Sequence, residues 1–119
     1  MGPDTMEQLV LAGSGPADRA FYTTQAFRET YRAALREGFA NDGAGYVTDT
    51  LLAMRPWDLD LGAMACPVEM LFGAGDTSHS PDLGATLAAR IPSCSREVVA
   101  DAGGALLWTH AGSVLDRTG

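Results

Sequence analysis

An α/β fold with a three-stranded parallel sheet is what this chain of 119 residues predicts. Three observations carry that reading. Short apolar runs occur at residues 8–12 (QLVLA), 68–72 (VEMLF) and 96–100 (REVVA). Each run is followed by a turn signal and then by a segment with helical periodicity. Strands alternating with helices favour parallel pairing through right-handed crossovers.

Taken in order, residues 1–5 read as a disordered start and residues 6–119 as a single domain. The first strand runs from Gln8 to Ala12 and ends in Gly13-Ser14-Gly15-Pro16. Ser14 is not a nucleophile elbow, because Ala12 and Pro16 stand where Gly-x-Ser-x-Gly needs glycine. From Asp18 to about Phe39 the pattern is helical. Phe27, Tyr31, Ala34, Leu35 and Phe39 recur at spacings of three and four, with Arg28, Glu29, Arg32 and Arg36 largely on the other faces. Asp18 suits the start of this helix as a cap. Asn41-Asp42-Gly43 breaks the pattern, and a second helix follows from about Gly45 to Met54. Residues 55–61 (RPWDLDL) form a connector that Trp57 anchors by burying its ring.

The central strand then exits through Gly73 and Gly75 to Asp76. Ser80 and Pro81 open a helix reaching Ile91. The third strand follows, and a final helix spans about Ala105 to Leu115. In an open α/β sheet, functional side chains gather beyond the carboxyl ends of the strands. Asp76 occupies such a position, which suits catalysis as well as simple turn capping. His79 lies three residues further on the same loop and reads either as a solvated histidine or as an acid/base partner of Asp76.

Composition excludes several classes. Net charge is −7, with eight arginines and no lysine, which argues against nucleic acid or an anionic membrane as partner. No apolar run approaches the length of a membrane span, and no secretory signal is apparent, so a cytoplasmic location is expected. Cys66 and Cys94 have neither metal-ligand nor CxxC spacing, and both are expected to be reduced and buried. No metal or cofactor is expected.

In order and spacing, LVLAGSGP (9–16), RPWDLDL (55–61), CPVEMLFGAGD (66–76), Pro81, LAARIP (87–92) and GGALLWTH (103–110) resemble the C-terminal half of an α/β-hydrolase-fold protein. The resemblance implies that the sheet is the remnant of the sixth to eighth strands, with two flanking helices and two or three cap helices over residues 17–55. It implies that Asp76 holds the triad-acid position. It also places Gly104 where the triad histidine is expected, while the nucleophile elbow has no counterpart. His110, six residues on, is too far along the final helix to replace that histidine. Triad hydrolysis by this chain is therefore not expected, since activated serine, base and oxyanion donors are missing.

By the same resemblance, the cap shapes a pocket for a small, largely apolar molecule, with Phe21, Phe27, Tyr31, Phe39, Tyr46, Leu51, Met54 and Trp57 as its wall. Three functions stay open. The chain is a non-hydrolytic binding module, a non-hydrolytic enzyme of cyclase, lyase or isomerase type using Asp76 and His79, or a fragment of a split or truncated serine hydrolase. An unpaired edge strand at Gln8 to Ala12 would favour a homodimer or a partner chain.

Overall fold

The computed structural model describes residues 1–117. Among the described residues seven helices and two strands follow one another: α1 Pro3–Gly13, α2 Pro16–Tyr22, α3 Gln25–Gly38, α4 Ala44–Met54, β1 Val68–Gly73, α5 Ala85–Ala88, β2 Cys94–Val99, α6 Leu106–Thr109 and α7 Ala111–Leu115. Single 3₁₀ turns occupy Asn41–Gly43 and Leu61–Ala63. The chain divides into two compact units. The first comprises Met1–Gly13 and Tyr22–Asp58; the second comprises Ser14–Phe21 and the chain from Leu59 onward.

The first unit is helical. Residues 8–12, expected as a strand, belong instead to α1, and residues 3–5 of the expected disordered start are helical too. The physical reason lies upstream of the apolar run. Pro3 fits the first helical turn, Asp4 complements the positive end of the helix dipole, and Glu7 is drawn inward. With the N–H groups of this run spent inside a helix, no strand edge is offered at Gln8 to Ala12. The strand edge on which the expected homodimer or partner-chain contact rested is therefore not formed.

Glu7 is buried, and its carboxylate receives Arg28 Nε at 2.6 Å and Arg32 Nε at 2.9 Å from α3. The two arginines lie one helical turn apart, so one acid clamps two rungs of α3 to α1. The Arg28 guanidinium, more than the cost of burial, sets the result: Glu7 is held below the ordinary carboxylate range, with Arg32 adding to the effect. Along α3 and its approach, Tyr22 stacks on Phe27 at 5.2 Å between centroids, and Phe27 on Tyr31 at 5.7 Å. Phe39 stacks on Tyr46 of α4 at 4.8 Å.

The long helix expected from Asp18 to Phe39 is two helices. Thr23 and Thr24 interrupt it, and Thr24 precedes α3 in an extended conformation that ends one helix and starts the next. Two adjacent β-branched residues make a weak place to continue a helix.

The second unit carries the sheet, which has two strands rather than the three expected. β1 and β2 pair in parallel, with Val68 opposite Cys94 and Gly73 opposite Val99. Ile91, Ala102, Ala105 and Leu106 are buried here. The helix expected over residues 81–91 shrinks to α5. Leu83 and Gly84 both take positive φ, which stops a helix from running through them. Asp82, not Ser80, caps the turn. Its carboxylate accepts Gly84 N at 3.0 Å and Thr86 N at 2.8 Å, and also the Ser80 hydroxyl. The Ser80 hydroxyl and the Thr86 contacts hold Asp82 far below its ordinary value.

The last expected helix is likewise broken, at His110, into α6 and α7. Both cysteines are free, and Cys66 is exposed rather than buried. None of the described helices is long and apolar enough to cross a membrane.

Candidate functional site

The site is built where β1 and β2 end. Gly73 closes β1 so near the loop after β2 that a Cβ placed on it would stand 2.3 Å from the Gly103 carbonyl oxygen. Only glycine permits that approach. Two bonds stitch the exits together: Ala74 N to Val99 O at 2.9 Å, and Gly75 N to Ala102 O at 2.9 Å. The next residue after this seam is Asp76.

The Asp76 side chain is 5% exposed. Its Oδ1 accepts Ser78 N at 2.9 Å, the Ser78 hydroxyl at 3.0 Å and His79 N at 3.2 Å. Its Oδ2 accepts the His79 ring at Nδ1, at 2.6 Å. Burial pushes the carboxyl up. The Ser78 amide, the His79 ring and the Ser78 hydroxyl outweigh it, so Asp76 lies below its ordinary value and is ionised at neutral pH. An ionised carboxylate only accepts, so the shared proton sits on His79 Nδ1. That leaves the lone pair of the neutral ring on Nε2. The His79 side chain is 61% exposed, and Nε2 has no hydrogen-bond partner among the described residues.

Gly104 faces the same carboxylate. A Cβ on Gly104 would lie 3.1 Å from Asp76 Oδ1 and 3.1 Å from Ser78 Oγ. From the other side Asp18 takes the Gly104 amide at 2.8 Å and the Ala105 amide at 2.9 Å. Asp18 is buried and therefore does not cap its own helix, as its position suggested. It caps the approach to α6, where Ala105 precedes the first helical residue.

A cavity of about 210 Å³ opens beside this junction, lined by residues that include Gly15, Asp18, Gly75, Asp101 and Gly103. Neither Asp76 nor His79 is among them. A second acid–histidine pair, His110 Nε2 to Asp101 Oδ1 at 3.4 Å, ties α6 and α7 to the turn after β2. It is longer, and the other ring nitrogen of His110 is engaged by Thr109 Oγ1 at 2.8 Å. His110 therefore has no free nitrogen for acid/base work.

The structure joins Asp76 to His79, the two residues singled out for chemistry. Of the eight residues expected to wall a pocket, seven lie in the first unit and one, Phe21, in the second. Phe27, Tyr31, Phe39 and Tyr46 stack in aromatic pairs, while Leu51, Met54 and Trp57 are open to solvent. Trp57 does not bury its ring as expected; its Nε1 donates to Leu52 O at 3.3 Å and folds back on the end of α4.

Two supporting residues escaped the sequence reading. Ser78 stands two residues after Asp76, a spacing typical of side-chain turns, and was legible in principle. Asp18 acts across 86 positions and has no local signal. Among the described residues no three His, Cys, Asp or Glu side chains gather as a metal-ligating group. No family model, curated protein or solved structure matches this chain.

Proposed function

We propose that the second unit is a proton-transfer site acting on a small, largely apolar molecule, with His79 as general base and Asp76 as the carboxylate that orients it. The observation that carries this reading is the 2.6 Å bond from His79 Nδ1 to a nearly buried Asp76, with Nε2 left free at the surface. An anchored imidazole of fixed tautomer is the usual form of a histidine base. Reactions that need one positioned base and no covalent intermediate suit it: isomerisation, elimination or cyclisation.

The place of Gly104 supports the likeness to a hydrolase half. Position 104, where that family is expected to carry histidine, faces Asp76. A histidine there would crowd Asp76 and Ser78, whereas His79 reaches Oδ2 from its own loop. On this reading the base has moved from the loop after β2 to the loop after β1. Nucleophile and oxyanion donors are not part of the arrangement, so ester hydrolysis is not its chemistry.

A generic carbon-acid probe tests the proposal. Elimination of 5-nitrobenzisoxazole by the full chain is expected to saturate and to fall at least tenfold in His79→Ala. His110→Ala is expected to keep the full rate. Equal losses in the two variants, or none in His79→Ala, would remove His79 from the role.

A further inference from the structure

Arg28, Arg32 and Arg36 stand at successive turns of α3 in a chain that is strongly acidic as a whole. Arg28 and Arg32 spend only their Nε atoms on Glu7, and both reach the same oxygen, at 2.6 and 3.1 Å. Their guanidinium groups therefore stand side by side. Beyond Glu7 neither guanidinium makes a hydrogen bond or ion pair among the described residues, and both side chains are close to half exposed. Arg36, one turn on, is exposed and makes no hydrogen bond or ion pair among the described residues. Glu29 accepts from Gln25 at 3.0 Å, and among the described residues neither it nor Glu37 forms an ion pair with Arg32 or Arg36.

Glu29 and Glu37 lie on the same helix without pairing with these arginines among the described residues, and Glu7 cancels one of the three positive charges. It also fixes the planes of two guanidinium groups, so the rotamer entropy that binding normally costs is already lost on folding. A carboxylate fills one guanidinium fork. A phosphoryl group has enough oxygens to bridge two forks and carries close to two negative charges at neutral pH.

We propose that Arg28, Arg32 and Arg36 form a docking site for the phosphoryl group of a small molecule. The site lies in the first unit and stands apart from the His79 reading, so failure of one leaves the other intact. Calorimetric titration of the full chain with inorganic pyrophosphate at low salt tests it. Saturable one-to-one binding is expected, weakened about tenfold, or about 1.4 kcal/mol, by Arg36→Gln, which leaves the Glu7 clamp untouched. Arg32→Lys keeps the charge but loses the fork, and is expected to weaken binding similarly. Arg90→Gln, in the second unit, should have no effect. Acetate should bind at least tenfold more weakly than pyrophosphate. No saturable binding, binding unchanged in Arg36→Gln, or equal affinity for acetate overturns the proposal.

Discussion

The carboxylate of Asp18 holds the backbone amide of Gly104 at 2.8 Å, joining residues 86 apart in the chain. The same side chain takes Ala105 N at 2.9 Å. One buried acid thus satisfies two amides that a short helix leaves without partners. Asp18→Ala strands both. Each hydrogen bond to a charged group contributes on the order of 1.5–3 kcal/mol. A total loss of about 3–6 kcal/mol is expected, read as a lower urea midpoint with unchanged slope. Asp18→Asn keeps one acceptor and should lose roughly half as much.

Glu7 is the corresponding anchor of the first unit. Removing one member of a buried ion pair costs about 3–5 kcal/mol, but both arginine partners here are close to half exposed and can rehydrate. Glu7→Ala should therefore destabilise by about 1–3 kcal/mol in equilibrium urea unfolding.

The pH dependence of stability has a definite sign. Folding lowers the values of Glu7, Asp76 and Asp82 from ordinary values of 4.5, 3.8 and 3.8. Each contribution is thus fully present above the unfolded value and is lost as pH falls through the folded one. Urea midpoints should be flat with respect to these three groups from pH 7 to about 5.5, then fall as pH drops below about 4.5. A midpoint that rises on acidification would contradict the assigned partners.

Glycine positions separate close backbone approach from open space. A Cβ at Gly73 would meet the Ala102 and Gly103 backbone at 2.3–2.6 Å, whereas one at Gly38 meets nothing within 4 Å. Gly73→Ala should cost more than about 3 kcal/mol or prevent folding, because no side-chain rotation relieves a backbone clash. Gly38→Ala should be neutral or slightly stabilising, by up to about 1 kcal/mol. Thermal unfolding of the two variants in parallel checks the contrast.

Legibility in the sequence followed the range of the interactions. β1 and β2 were readable because each is a short, β-rich run with turn residues after it, and Asp76 was readable because it ends one of them. Residues 8–12 were not. Gln8 and the four apolar residues after it fit a strand or a buried helical turn equally well, and what decides between them is Glu7, whose partners lie at Arg28 and Arg32. The helix breaks at Thr24 and His110 interrupt patterns whose apolar spacing continues across them. The bond from His79 to Asp76 was foreseeable at three residues' separation. The support that Asp18 gives Gly104 was not, because it exists only once the chain has folded.

The proton on His79 is the most direct test of the account. Long-range ¹⁵N–¹H correlation spectra of the imidazole, recorded through a pH titration, distinguish the two neutral tautomers. The 2.6 Å bond to Asp76 predicts that neutral His79 carries its proton on Nδ1 and keeps the Nε2 lone pair free. It also predicts that Asp76→Asn releases this tautomer preference, since the neutral amide no longer demands a proton on Nδ1. A ring that exchanges between tautomers as free histidine does, and does so identically in Asp76→Asn, would mean that the pair does not form in solution and that His79 is not a positioned base.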